Sequence, residues 1–333
     1  MPANLTPMYR KAERDYRRAQ TPAERVECLQ RMMQLIPRHK GTDKLQAAIK
    51  SSLSEARADL KRAENAPRAT PFLRIPRHGC GRVLVVGAAN AGKSQLVATL
   101  TNAAPEVAPF PFTTREPFPA MMPCQGVQIQ LIDTPPVVAD ALPPWLLNLV
   151  RTADAVVLAM DGSSDDAPQQ THEVVRAFEE RRTRFSDRSG FDAADFGVAH
   201  VPALLVVTRA DDADSGLRTE LLRDEIHRQQ EHFSLPSVAF EPASAAAVAA
   251  TQQAIFGVLK LVRVFTKRPG QEPDLTAPLT IAAGGTVEDL ALQIHEDLAR
   301  KLRHARLWGR SDHEGQVVGR DYVLHDGDIV ELH

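Results

Sequence analysis

The strand RVLVVG (82–87) runs directly into GAANAGKS (87–94), and a helical segment follows near 93–103. Glycines at 87 and 92 let the backbone fold back, so that successive N–H groups and a helix N-terminus face one point. The spacing G-x-x-x-x-G-K-[ST] between strand and helix is the phosphate-wrapping loop (P-loop) in the context it requires. Lys93 then bridges terminal phosphates and the Ser94 hydroxyl binds Mg²⁺. Gly87, Ala88, Ala89, Asn90, Ala91, Gly92 and Gln95 complete the contact with the nucleotide. A chain built around this feature needs a strand, a tight loop and a helix in that order.

The pattern around it agrees. VQIQLID (127–133), ADAVVLAMD (153–161), VPALLVVT (201–208) and SVAFEPAS (237–244) read as further strands. Helical segments lie near 142–151, 168–183, 213–232 and 247–265. Alternation of this kind predicts an α/β fold, a mainly parallel sheet with helices on both faces, with ligands at the carboxyl ends of the strands. The aperiodic stretch 184–200 joins a helix to a strand and belongs at the opposite rim, as a structural insertion.

The flanks differ from this core. Residues 1–70 read as a helical hairpin, with Thr21, Pro22 and Glu24 opening one helix and Thr42 capping the next. They hold fifteen Lys/Arg against eight Asp/Glu, whereas the rest holds 25 against 34. That asymmetry fits either a polyanion partner or a solvated helical surface. A Pro-rich linker covers 71–80, the core runs over 81–266, a second linker covers 267–276, and 277–333 reads as a small β-α-β-β-β domain whose helix begins at Thr286. Cys28, Cys80 and Cys124 have no metal-ligand spacing, and no apolar run reaches the length of a bilayer span. The expectation is a soluble, cytoplasmic protein.

Three more segments carry chemistry. Asp133 ends a strand where a carboxylate can hold Mg²⁺. In TRAD (208–211), Thr208 and Arg209 precede Asp211, which can accept both donors on the guanine edge; adenine offers no such pair. Ser244 and Ala245 in ASA place backbone amides within reach of the base carbonyl. Thr114 in PFPFTT (109–114) can meet Mg²⁺ and the γ-phosphate if its loop closes, and Arg115 beside it is either a cis-acting cation or a solvated side chain.

GAANAGKS, FTT twenty residues later, IPRHKGTDKL with the helix after it, and the tail GGTVEDLALQIHEDLARKLRHARLWG…GQVVGRDYVLHDGDIVEL form an ordered set. The set resembles an Obg-like translation-factor-class GTPase of the developmentally regulated GTP-binding (DRG) branch, with a C-terminal ubiquitin-like (β-grasp) TGS domain. The resemblance covers nearly the whole chain. It implies GTP and GDP as ligands, Mg²⁺ as cofactor, Lys93, Thr114 and Asp133 at the catalytic step, and a ribosome or structured RNA as partner of the TGS domain and basic helices. It also implies that Asn90 helps to hold K⁺; the other reading of Asn90 is a residue suited to the loop backbone.

Two positions depart from the family pattern. The glycine of the DxxG switch is Pro136 in DTPP (133–136), which has no N–H to offer the γ-phosphate; Val137 follows, leaving no glutamine to orient water, but a hydrophobic residue there fits the Obg-like pattern. Thr208 stands for the asparagine of NKxD and lacks the amide that ties the base loop to the P-loop, although the stem and guanidinium of Arg209 can cover the base. The expectation is intact nucleotide binding with slow hydrolysis, on the order of 10⁻⁴ s⁻¹ as in unassisted GTPases. The alternative is a pseudo-GTPase scaffold that binds nucleotide and RNA or protein without turnover.

Overall fold

The structure, a computed structural model, describes residues 6–19, 21–37, 42–65, 75–101, 117–138, 141–191, 198–229, 235–309 and 315–333. Two compact units are present, Met1–Met122 with Ile129–Val258, and Pro123–Gln128 with Leu259–His333.

The first unit begins with three helices, not the two of the expected hairpin: α1 (Pro7–Arg18), α2 (Pro22–Leu35) and α3 (Asp43–Asn65). Thr6 starts α1 by accepting the Tyr9 N–H, and Thr21 and Glu24 form the expected capping box on α2. Thr42 is buried and its hydroxyl donates to the Pro37 carbonyl at 2.6 Å. Tyr9, Leu29, Met32 and Ile49 form the core of these helices. They dock on the α/β core, where Arg17 donates to the Ser189 hydroxyl at 2.6 Å and Arg25 to the Asn148 amide oxygen at 3.3 Å.

That core comprises β1 (Gly81–Gly87), α4 (Lys93–Thr101), β2 (Phe118–Cys124), β3 (Val127–Asp133), α5 (Pro144–Arg151), β4 (Ala155–Asp161), α6 (Ala167–Glu179), β5 (Thr183–Ser186), β6 (Gly190–Phe191), β7 (Ala199–Thr208), α7 (Ser215–Gln229), β8 (Ser237–Phe240) and α8 (Ala245–Val258). The strand order is β2-β3-β1-β4-β7-β5, with β6 and β8 also paired to β7. β1, β3, β4, β5, β7 and β8 are parallel neighbours. Leu84, Ile132, Leu158 and Leu205 point into one apolar layer with Leu146, Phe178 and Leu222 from the helices. Val83, Val85 and Leu131, of opposite parity, are also buried, so both sheet faces are covered.

Register positions the site. Val85 pairs with Asp133, Gly87 with Ala159, and Asp161 with Thr208, so all these strands end at one rim. The start of β7 pairs with β5 and its last four residues with β8, which places 183–191 at the far end, as expected of the insertion. Residues 192–197 of that stretch lie outside the described residues.

The second unit contains β9 (Leu261–Thr266), β10 (Leu279–Ala282), α9 (Val287–Ile294), α10 (Glu296–Lys301), β11 (Ala305–Trp308), β12 (Gln316–Val318) and β13 (Asp328–Leu332), ordered β10-β9-β13-β11-β12. β9 runs parallel to β13 and the other neighbours are antiparallel, a β-grasp sheet around Val264, Ile281, Leu290, Leu307 and Val330. Thr286 caps α9 as expected, in a box with Asp289. The boundary expected at 277 is wrong. Residues 261–266 form β9 of this sheet, not a helix end of the core, and the 267–276 linker is part of the connection from β9 to β10. Among the described residues no helix is long and apolar enough to cross a membrane.

Phe178 and Phe185 meet with ring centroids 5.3 Å apart, and both are buried. Phe178→Ala should cost about 3–5 kcal/mol. The check is a lower urea midpoint for the first unit, with the slope of the transition unchanged.

Candidate functional site

The P-loop is shaped by close approach. A Cβ on Gly87 would stand 2.6 Å from the Ala159 carbonyl oxygen, so only glycine lets β1 end beside β4 in this way. Asn90 (φ 61°) and Gly92 (φ 78°) both take left-handed conformations, which turn the backbone around a central point. Asparagine is among the few side chains that enter this region readily, so the loop-backbone reading of Asn90 has direct support. Ala88, Ala89 and Ala91 line the turn, and Gln95 is exposed one residue beyond Ser94 in α4.

Lys93 opens α4 and is buried. Its Nζ donates to the carbonyls of Gly87 at 3.2 Å and Ala88 at 2.7 Å. Burial lowers its pKa to about 8, opposed in part by the charge of Asp133. The Ser94 hydroxyl donates to Asp133 Oδ2 at 2.6 Å. Asp133 Oδ1 is buried without a hydrogen-bond partner. Burial raises the Asp133 carboxyl, while the Ser94 bond, Lys93 and the Thr134 N–H pull it down. A buried carboxylate oxygen awaiting a partner beside a hydroxyl is the oxygen donor set that Mg²⁺ takes, so these residues fit the ion.

The segment after Asp133 is pinned at two points. The Thr134 hydroxyl donates to the Val85 carbonyl at 2.8 Å. Pro135 and Pro136 have no N–H, and the first donor after them, Val137 N–H, is bonded to the Gly87 carbonyl at 3.1 Å. A cavity of about 440 Å³ lies beside this segment, lined by Ala88, Asn90, Val137, Asp161 and Thr171 among others. Ala88, Ala89, Asn90 and Ala91 of the P-loop form part of its wall, whereas Lys93, Ser94 and Asp211 do not, so it adjoins the P-loop on the side of the turn after β4.

The base loop corrects one expectation. Thr208 does tie that loop to the P-loop, through its hydroxyl: Oγ1 lies 3.1 Å from the Ala91 carbonyl and 3.2 Å from that of Met160. A shorter side chain reaches because the loops are close; a Cβ on Gly92 would be 3.0 Å from Thr208 Cγ2. Arg209 (φ 48°) bonds the Asn90 carbonyl at 3.3 Å and pairs with Asp161. Asp211 is exposed, and no described residue donates to its carboxylate. Ser244 caps α8, its hydroxyl accepting the Ala247 N–H at 3.2 Å, and Ala245 is the first helical residue.

The structure thus brings residues 87–95, Asp133, 208–211 and 244–245 to one rim. Thr114, with 109–113 and Arg115, lies outside the described residues. Sequence reasoning missed Asp161 and Gly162, the turn after β4. Gly162 N–H donates to the Thr208 carbonyl at 2.7 Å, and a Cβ there would stand 2.8 Å from that oxygen. An Asp-Gly pair at a strand end was the available signal.

Residues 82–187 match the family described as 50S ribosome-binding GTPase, and residues 262–333 match the TGS domain. An uncharacterized GTP-binding protein of Methanocaldococcus jannaschii is 25% identical, covering 93% of this chain and 92% of its own. Developmentally-regulated GTP-binding protein 1 of Xenopus laevis is 24% identical, covering 78% and 83% respectively. Among solved structures, the YchF GTPase of Schizosaccharomyces pombe aligns with a TM-score of 0.50 at 12% identity, covering 78% of this chain and 99% of its own, a likeness of fold. The chain thus combines a match to a GTPase domain with a match to a TGS domain, and along nearly its whole length it is similar to GTP-binding proteins of the DRG type.

Proposed function

We propose that the chain binds GTP and GDP with Mg²⁺ and hydrolyses GTP slowly in the cytoplasm, acting on ribosomes or structured RNA. The observation that carries the nucleotide site is the shared rim, where parallel register and the Thr208 hydroxyl set the P-loop, Asp133 and the base loop side by side. Backbone amides of 88–94 wrap the phosphates, and Lys93 exchanges the Gly87 and Ala88 carbonyls for phosphate oxygens. Ser94 and Asp133 would hold Mg²⁺, with Thr114 joining them; the ion supplies charge neutralisation at the phosphates. Asp211 selects guanine, Arg209 flanks the base, and amides at Ser244 and Ala245 meet its carbonyl. Asn90 holds K⁺ in this reading. The RNA partner is supported by the basic N-terminal region, by the TGS domain, and by the ribosome-binding description of the matched GTPase family. Phosphate contacts make such binding fall steeply with salt.

Slow chemistry follows from the pinned segment. Pro136 offers no donor, the Val137 N–H is engaged by Gly87, and Val137 itself is buried and apolar. Losing one preorganised donor to a developing anion costs about 2.7–4 kcal/mol. The same observation favours a second reading, a pseudo-GTPase scaffold without turnover. Single-turnover phosphate release in KCl and in NaCl, with and without ribosomes, separates the two. Release above a Lys93→Ala control, faster in KCl, is expected; none above that control supports the scaffold, and equal rates in the two salts remove K⁺.

Lys93 gives a pH dependence. Its pKa of about 8 in the free protein must rise when phosphate replaces carbonyl partners, so binding takes up a proton once pH exceeds that value. GDP affinity should weaken as pH rises from 7 to 9. Calorimetry at pH 8.5 in buffers of different ionisation heat should register the uptake, and an uptake of zero contradicts the assignment.

Asp211→Asn exchanges an acceptor for a donor in front of the exocyclic amine. GTP affinity should drop at least tenfold, given about 1.5–3 kcal/mol for each charge-assisted bond. Xanthosine triphosphate, with a carbonyl at that position, should gain on GTP when the two are compared by calorimetry.

A further inference from the structure

The base loop is braced from a helix beyond it. Arg218 lies in the first turn of α7, and its side chain is 10% exposed. Its Nε and Nη2 donate to one oxygen of Asp165, at 2.9 and 2.7 Å. Its Nη1 donates to the Gly162 carbonyl and to Asp212 Oδ1, each at 2.6 Å. One guanidinium therefore joins α7, the segment after β4 and the base loop.

The brace sits next to the residue that matters. The Asp212 oxygen that Arg218 engages also accepts the Asp214 N–H at 3.0 Å. Arg218 and this N–H hold the Asp212 carboxyl below the usual carboxylate range. On the other side of Asp211, the Thr208 carbonyl accepts the Gly162 N–H and Arg209 pairs with Asp161. The Ser215 hydroxyl, at the start of α7, closes back on the Ala210 carbonyl at 2.9 Å. Asp211 is thus exposed between two anchored neighbours, and both anchors lead to the turn after β4. A carboxylate that must accept two donors at fixed separation gains from a backbone already held in place, because less freedom is lost on binding.

Resting on the assignment of Asp211 to guanine, we propose that Arg218 is a positioning residue for base recognition, aligning Asp211 by fixing Asp212 against the segment that follows β4. A buried arginine that only stabilised the fold would affect every nucleotide alike. Alignment of Asp211 affects guanine most, since inosine lacks the exocyclic amine and makes one bond fewer.

The test is calorimetry of the full chain with GDP and with IDP. The wild-type chain should prefer GDP about tenfold or more, the worth of one charge-assisted bond. Arg218→Met should lower GDP affinity about tenfold and IDP affinity much less, narrowing the preference to about threefold or below. Arg218→Lys, which keeps a charge and fewer bonds, should restore part of it. Asp165 is 91% exposed, so Asp165→Ala tests the brace without opening the interior and should narrow the preference in the same direction. If Arg218→Met fails to fold, Asp165→Ala decides. Parallel losses for GDP and IDP, or an unchanged preference in these variants, overturn the inference while leaving Asp211 in its role. A wild-type chain with no preference, or one kept by Asp211→Asn, overturns the assignment of Asp211 and the inference with it.

Discussion

The hydroxyl of Thr208 holds together two loops separated by more than a hundred residues of chain. Everything at the rim depends on that closeness. The strands β1, β4 and β7 bring the loops to the same edge, but register alone leaves their tips free to splay. Glycines at 87, 92 and 162 remove the side chains that would keep them apart, and each is a place where a methyl group would meet a neighbour. Hydrogen bonds then close the remaining gap. The phosphate half and the base half of the site are therefore one object, built from loops that have little structure of their own.

Within that object the two halves differ in readiness. The base loop is anchored on both sides of Asp211. The phosphate half is occupied with itself: Lys93 on two carbonyls, Ser94 on Asp133, and Val137 on Gly87. A nucleotide entering this site exchanges bonds already present, and the gain is the difference between old and new partners. The prolines at 135 and 136 make the exchange unequal, because they leave the segment after Asp133 without two backbone donors.

Much of this could be read from the residues in order. The spacing of Gly87, Gly92 and Lys93 located the cradle because a wrapped backbone requires those residues at those places. The capping residues Thr21 and Thr286 were legible for the same reason: their bonds are local. What was hidden is mostly non-local. The amide expected at Thr208 is replaced by a hydroxyl whose acceptor lies in another loop, and no short pattern records that. Arg218 and Asp161 act through partners that only the fold supplies. β2 was hidden by Pro119 and Pro123, which argue against an interior strand; β2 ends the sheet order, where a missing N–H is tolerated. α1 was hidden by its small apolar face, two of whose buried residues are Tyr9 and Ala12. β9 followed an apolar helix closely enough to read as its last turns.

The place of β9 also governs how this chain can be divided. It lies between β10 and β13, the interior of the second sheet. A fragment cut at the proline-rich stretch, where composition invites the cut, would leave both neighbours with bare backbone donors and acceptors. Such edges recruit strands from other molecules. An excised tail domain that keeps Leu261 onward retains its centre; one that begins at 277 is a recipe for aggregates.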